Sequence, residues 1–162
     1  MAIIGNPKYE ERIKRHMAKY ETKRSAVMPL LYIAQEEYGW VSPEGIQEVA
    51  RLCEMDPTQV KSIAGFYTMY SEKPKGAYWL QVCTDLPCAL RGADQFYKEL
   101  LEYLDIEDGG TTREGLFTAE PVMCLAACDK APMLQCNFHY HENLDRAKII
   151  ELIEKWRAES GS

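Results

Sequence analysis

The positions of the cysteines constrain this chain more than any other feature. Four of the six form two short-spaced pairs, Cys83-x4-Cys88 and Cys124-x3-Cys128. The first pair directly follows a predicted strand that ends at Val82, and the second follows one that ends near Val122. Because α/β folds place their functional groups in the loops that leave strand ends, we expect the two pairs to converge.

Four converging thiolates repel one another unless a positive centre lies between them, so the pattern predicts a metal site. Zinc bound by four thiolates fits C-x2–4-C spacings. A 2Fe–2S cluster is also held by four cysteines and tolerates wider, irregular loops. Neither pair has the C-x-x-C spacing of a dithiol oxidoreductase, and disulfides are rare in a reducing compartment. The spacing by itself leaves zinc and iron–sulfur open and favours iron–sulfur modestly.

The neighbours of the cysteines add to the case for iron–sulfur. Cys88 is predicted to begin a helix over about residues 88–104, where free N–H groups and the helix dipole favour an anionic centre. Arg91 and Lys130 place positive charge beside the two pairs. Nearby charges and hydrogen bonds to sulfur tune the potential of a cluster, whereas a structural zinc site needs no such tuning.

The remaining cysteines and two histidines fit structural roles better. Cys53 lies on the apolar stripe of a predicted helix, and Cys136 alternates with Leu134 and Phe138 in a predicted strand over residues 132–138. Buried thiols of this kind usually act as small hydrophobic side chains. His139 and His141 share one side of a strand and could bind a metal, but such a pair is more often solvated.

Charge and hydropathy exclude several classes of function. The net charge is −6, with 19 basic and 25 acidic side chains, and nucleic-acid binding depends on a basic face. No apolar run approaches the roughly 18 residues that span a bilayer, and the first residues lack the order of a signal peptide. No G-x-G-x-x-G or P-loop motif is present to bind a nucleotide. We therefore expect a soluble, cytoplasmic protein without direct membrane insertion and without nucleic-acid binding.

The chain is predicted to be α+β, with a helical bundle over residues 1–72 and an α/β domain over 73–162. Ser25 is predicted to cap a helix that Gly39 ends, Ser42 caps a third helix, and Asp56 caps a fourth with Gln59 in a capping box. The polar, turn-rich segment 71–76 marks the boundary. Beyond it the patterns indicate strand, helix, strand, strand and helix, the last helix spanning residues 145–157.

Four groups of residues carry a family resemblance that extends over nearly the whole chain. They are Gly65-Phe66-Tyr67-Thr68-Met69-Tyr70, Val82-Cys83-Thr84-Asp85-Leu86-Pro87-Cys88 with Leu90-Arg91-Gly92-Ala93, Thr111-Thr112 with Gly115-Leu116-Phe117-Thr118, and Met123-Cys124-Leu125-Ala126-Ala127-Cys128-Asp129-Lys130-Ala131-Pro132. In these segments the chain resembles the thioredoxin-like 2Fe–2S subunits of bacterial NADH:quinone oxidoreductase (complex I), the NuoE family.

The resemblance implies that Cys83, Cys88, Cys124 and Cys128 ligate one 2Fe–2S cluster in a thioredoxin-like domain. It also implies single-electron exchange with the FMN of a flavin-carrying, NADH-binding partner (NuoF-like), within the peripheral arm of a membrane-associated complex. FMN and NADH are then expected on that partner, the chain has no catalytic residues of its own, and its helical segment grips the partner. The same kind of subunit occurs in NAD-linked hydrogenases and formate dehydrogenases, which are the alternatives within the electron-transfer class. The alternative outside that class is a structural adaptor protein stabilised by zinc.

One residue departs from the family pattern inside a ligand loop. Ala126 stands where the family usually has glycine between the last two cysteines. If the backbone requires a positive φ there, alanine is strained. The expected consequence concerns the shape of the loop and the hydrogen bonding of its sulfur atoms, not the identity of the ligands.

Overall fold

The structure is a computed structural model that describes residues 2–161. The chain divides into two compact units, Met1–Pro74 and Lys75–Ser162. Within residues 2–161, every helix falls short of the length and apolar character needed to cross a membrane.

Four α-helices make up the described part of the first unit, and two of the predicted caps are confirmed. The Ser42 hydroxyl accepts a hydrogen bond from the backbone N–H of Gly45, and Asp56 does the same for Thr58. Gly39 ends its helix with φ 75°, a left-handed conformation that glycine adopts without strain. The helices are α1 (Pro7–Met17), α2 (Val27–Tyr38), α3 (Pro43–Cys53) and α4 (Pro57–Phe66).

Two predicted caps in this unit are wrong. Ser25 does not cap α2, because a short 3-10 turn precedes the helix and the Ser25 hydroxyl pairs with that of Thr22 at 3.0 Å. Gln59 does not complete a capping box, since its side-chain oxygen accepts a hydrogen bond from Arg24 at 3.2 Å. In both cases a competing polar partner nearby takes the side chain away from the helix end.

The second unit is built on a four-stranded sheet in the order β2-β1-β3-β4. β1 pairs in parallel with β2 and antiparallel with β3, and β3 pairs antiparallel with β4. The elements are β1 (Tyr78–Cys83), α5 (Leu86–Ala89), α6 (Ala93–Leu104), β2 (Phe117–Val122), β3 (Leu134–Cys136), β4 (His139–His141) and α7 (Arg146–Ser160), with a 3-10 turn over Cys128–Lys130.

One face of this sheet carries the hydrophobic core. Both α6 and α7 bury an apolar stripe against the same strand side chains. Fully or nearly fully buried members of this cluster are Leu80, Val82, Phe96, Leu100, Phe117, Ala119, Leu134, Ile149 and Ile153. Because side chains alternate along a strand, the residues between these positions point to the opposite face.

The predicted strand over residues 132–138 is instead a hairpin. Asn137 and Phe138 have φ values of 45° and 69°, and two successive positive φ angles are the signature of a tight hairpin turn. The Asn137 side chain accepts a hydrogen bond from the backbone N–H of Trp79 at 2.9 Å and donates one to the carbonyl of Ala77 at 2.7 Å. Phe138 therefore lies outside the strand and is 46% exposed, so it does not continue the buried alternation of Cys136.

The predicted helix over residues 88–104 is divided in two. Gly92, with φ 92°, lies between α5 and α6. A left-handed residue cannot continue a right-handed helix, so the helix is interrupted at Gly92. The apolar side chains on α6 keep their helical spacing.

Candidate metal centre

Both cysteine loops leave the same edge of the sheet. β1 and β2 are adjacent and parallel, and Cys83, the last residue of β1, stands opposite Val122, the last residue of β2. The backbone N–H of Thr84 continues the ladder by donating to the Val122 carbonyl at 3.0 Å. Cys124 follows two residues later. The parallel pairing therefore places the start of each cysteine pair at neighbouring strand ends.

Three of the four cysteines come together. Cys83 and Cys88 are buried, and the thiols of Cys83 and Cys128 both interact with that of Cys88. Burial raises the pKa of the Cys88 thiol, and the two neighbouring thiols raise this pKa further. A bound cation would reverse both effects, because coordination favours the thiolate.

The shell around these thiols is small and apolar. The cluster that contains Cys83 and Cys88 also includes buried Ala93, Ala127, Ala131 and Met133, with Leu125 and Cys128 packed against it. Alanine methyl groups leave room for a compact inorganic group while they exclude water. A dry shell of this kind lowers the local dielectric constant and thereby influences the potential of any redox centre inside it.

Cys124 differs from the other three. It is exposed, and within residues 2–161 it takes no part in the thiol contacts around Cys88. Its sulfur accepts a hydrogen bond from the backbone N–H of Ala126 at 3.4 Å. Although three thiols come together, no group of three or more His, Cys, Asp or Glu side chains in residues 2–161 has the arrangement that would hold a single metal ion. The structure thus gathers three of the predicted ligands and leaves the fourth beside them on an exposed loop.

The expectation of free N–H groups at Cys88 is wrong. Cys88 is the third residue of the four-residue α5, and its N–H donates to the Asp85 carbonyl at 2.8 Å. Arg91 does reach the second loop, where its Nε donates to the Ala131 carbonyl at 3.3 Å. Lys130 lies 3.9 Å from the carboxylate of Asp129, which offsets part of its charge.

The other cysteines and the histidines lie elsewhere. Burial raises the pKa of Cys53 to about 11 and that of Cys136 to about 12, which suits unreactive core thiols and confirms their predicted packing role. His141 packs edge-on against Trp156 at 5.3 Å between ring centres, and burial lowers the pKa of its imidazole. His139 is exposed on the same side of β4.

Three exposed apolar side chains near the two cysteine pairs were not predicted from the sequence. Leu86, Leu90 and Met123 are 69%, 81% and 75% exposed. We name these three residues the apolar rim. Leu86 and Leu90 flank Cys88, and Met123 directly precedes Cys124. The signal that could have revealed this surface is the position of three large apolar side chains within two residues of predicted ligand cysteines.

Replacement of Ala126 by glycine is expected to stabilise the loop between Cys124 and Cys128. Ala126 has φ 58°, the strained conformation considered above. A left-handed alanine costs about 1–2 kcal/mol, and the greater freedom of unfolded glycine offsets about 0.5–1 kcal/mol. We therefore expect the free energy of unfolding in guanidinium to rise by roughly 0.5–1 kcal/mol.

Ala127→Gly is the matched control for this prediction. Ala127 has φ −129° and is buried, so glycine there relieves no left-handed strain and adds only entropy to the unfolded chain. It should destabilise the protein. If both substitutions changed stability in the same direction, strain at Ala126 would not be the cause.

Comparison with known proteins gives consistent results. The chain matches the family described as thioredoxin-like [2Fe-2S] ferredoxin over residues 13–157. It is 42% identical to NADH-quinone oxidoreductase subunit 2 of Thermus thermophilus over 92% of this chain and 84% of that protein. It is 39% identical to an NADH-quinone oxidoreductase subunit of Rhizobium meliloti over 91% and 88%. Among solved structures, a chain of an NAD+-reducing [NiFe]-hydrogenase shares the fold with a TM-score of 0.70 at 22% identity, over 80% of this chain but only 23% of that one.

Proposed function

This chain belongs to the thioredoxin-like [2Fe-2S] ferredoxin family, and from that premise we propose that it is an electron-transfer subunit of an NADH-quinone oxidoreductase. Relatives that carry this name match it at about 40% identity over most of their length. The observation that supports the role most directly is the placement of both cysteine loops at the ends of two adjacent parallel strands. The chain has no catalytic residues of its own in this proposal.

We assign the ligands as Cys83, Cys88, Cys124 and Cys128, two thiolates for each iron of one [2Fe–2S] cluster. The fit rests on three gathered thiols, a shell of alanines and a fourth thiol on the adjoining loop. The cluster, when bound, takes up and releases single electrons, and its potential depends on ligation, charge and solvent access. The chain holds the thiolates, excludes water with its apolar shell, and donates an N–H to sulfur from Ala126.

The proposed partner is a flavin-carrying, NADH-binding subunit (NuoF-like) that holds FMN and NADH. The apolar rim supports docking beside the cluster, because exposed leucine and methionine side chains gain stability when a partner covers them. In this arrangement the chain lies in the peripheral arm, on the cytoplasmic side of the membrane.

The helical unit has an exposed aromatic patch, which supports the proposal that this unit binds the partner subunit. Phe66 and Tyr67 are 78% and 42% exposed, and their rings lie 5.1 Å apart. Tyr70 links Tyr67 to Tyr32 through ring contacts of 6.2 and 4.8 Å. Aromatic side chains are enriched at protein–protein interfaces, where they bury large areas at low entropic cost.

Optical and EPR spectra of the full chain, purified anaerobically, test the function. We expect visible absorbance that bleaches on addition of dithionite, with the appearance of an EPR signal from one unpaired electron. Metal analysis should find iron and acid-labile sulfide in equal amounts. A colourless protein with stoichiometric zinc and no iron would contradict the proposal and support the structural-adaptor alternative.

Leu90→Glu is expected to weaken binding to the flavin-carrying partner. Loss of a leucine that the partner buries costs about 1.5–3 kcal/mol, which corresponds to roughly a 10- to 150-fold rise in Kd. Calorimetric titration with the purified partner measures the change. Leu90→Met retains the apolar surface and serves as the control, and the visible spectrum should be unchanged in both variants because Leu90 is not a ligand. An unaltered Kd in Leu90→Glu would remove the apolar rim from the interface.

A further inference from the structure

A row of polar side chains crosses the sheet on the face opposite α6 and α7. The register places Glu120, Gln81, Gln135 and Tyr140 side by side on the four strands. Gln81 donates to Glu120 at 3.3 Å, and Gln135 donates to Gln81 at 2.9 Å. Gln81 and Gln135 are almost completely buried, so their amides are fixed by their neighbours rather than by bulk water.

The far end of this row is anchored by an ion pair. Lys75 lies 2.5 Å from a carboxylate oxygen of Glu120, and the indole N–H of Trp79 donates to the other oxygen at 2.7 Å. The carboxylate therefore has partners on both oxygens and holds the first amide of the row in one orientation. A row with satisfied ends is more rigid than isolated surface side chains.

The near end of the row touches the loop between the second cysteine pair. Tyr140 lies in β4, and its hydroxyl donates to the Leu125 carbonyl at 2.7 Å. Leu125 directly follows Cys124, the exposed cysteine of the loop, and precedes the strained Ala126. The hydrogen bond thus fixes this part of the loop to the sheet, although the backbone at Ala126 is strained.

We propose that Tyr140 is a positioning residue for the cluster site, in which its hydroxyl holds the loop of Cys124 and Cys128 against the edge of the sheet. This inference rests on the proposed function, because the position of the loop matters to a cluster only if those cysteines are its ligands. Tyr140 itself donates to a backbone carbonyl and acts through Leu125.

The expected consequence is slower opening of the loop. A cluster is lost when a ligand detaches and solvent or a chelator reaches the iron, and a tether lowers the population of the detached loop. A hydrogen bond of this kind contributes about 1 kcal/mol, which corresponds to roughly a fivefold change in that population. The tether should therefore affect cluster release far more than global stability.

Tyr140→Phe tests the inference, with Tyr103→Phe as the matched control. The Tyr103 hydroxyl donates to Glu154 at 2.6 Å, a comparable bond in the same unit that links α6 to α7 instead of reaching the ligand loop. We expect iron transfer to a chelator to be about fivefold faster in Tyr140→Phe and unchanged in Tyr103→Phe. In the metal-free chain, amide exchange of residues 124–127 should be faster in Tyr140→Phe alone.

The outcomes separate this inference from the proposed function. Equal release rates in wild type and Tyr140→Phe, or equal acceleration in both variants, would overturn the positioning role of Tyr140 while the cluster itself remained established. A wild-type chain without iron would overturn the proposed function, and the exchange measurement on residues 124–127 would still decide whether Tyr140 holds the loop.

Discussion

Replacement of Cys83 by alanine is expected to abolish the visible absorbance and the EPR signal of the reduced protein. Cys83 is 1% exposed at the end of β1, and its thiol interacts with that of Cys88. Alanine leaves one of the two irons with a single thiolate ligand, whereas serine would supply an oxygen that can itself bind iron. Iron and sulfide analysis should fall to background. The helical unit should remain folded, because Cys83 belongs to the other unit.

Cys136→Ala and Cys53→Ala are the controls for this experiment. Both thiols are buried in hydrophobic clusters away from the cysteine loops, so their loss should lower stability slightly and leave a full complement of iron. Far-UV circular dichroism checks that each variant is folded. Retention of an unaltered spectrum in Cys83→Ala would show that the ligand assignment is wrong.

The second large effect is expected at Glu48, whose buried carboxylate ties the chain start to the helical unit. One oxygen accepts from the N–H of Ile3 at 3.0 Å and from the Tyr38 hydroxyl at 2.9 Å, and the other accepts from the N–H of Ile4 at 3.1 Å. Ile3 is fully buried beneath this contact.

Glu48→Gln should lower the free energy of unfolding by about 2–4 kcal/mol. Whichever oxygen becomes an NH2 group then faces a donor, and a charge-assisted hydrogen bond is exchanged for a clash of donors. Guanidinium unfolding gives the magnitude, and amide exchange at residues 3 and 4 locates the effect. Glu44→Gln, an exposed position in the same helix, should cost less than about 1 kcal/mol. A loss no greater at Glu48 than at Glu44 would show that the buried hydrogen bonds contribute little.

Three predictions that depend on a local signal agree with the structure. The caps at Ser42 and Asp56 and the end of α2 at Gly39 follow from short-range hydrogen bonding and backbone freedom. Where a side chain had two possible partners, the sequence could not rank them. Ser25 pairs with Thr22 in the same turn, and Gln59 pairs with Arg24, which only the fold brings near it.

The ligand candidates, the helical first half, the α/β second half and the family could all be predicted before the fold was known, since they depend on residue type and spacing along the chain. The folded chain was needed to show that residues 134–141 form a hairpin, that Gly92 interrupts a helix, and that Cys124 is exposed while the other three thiols come together. Those outcomes depend on backbone angles and on contacts between residues far apart in sequence. The hydroxyl of Tyr140 contacts the carbonyl of Leu125 only because β4 folds back along β3. The pattern of apolar and polar residues along the chain does not predict that contact.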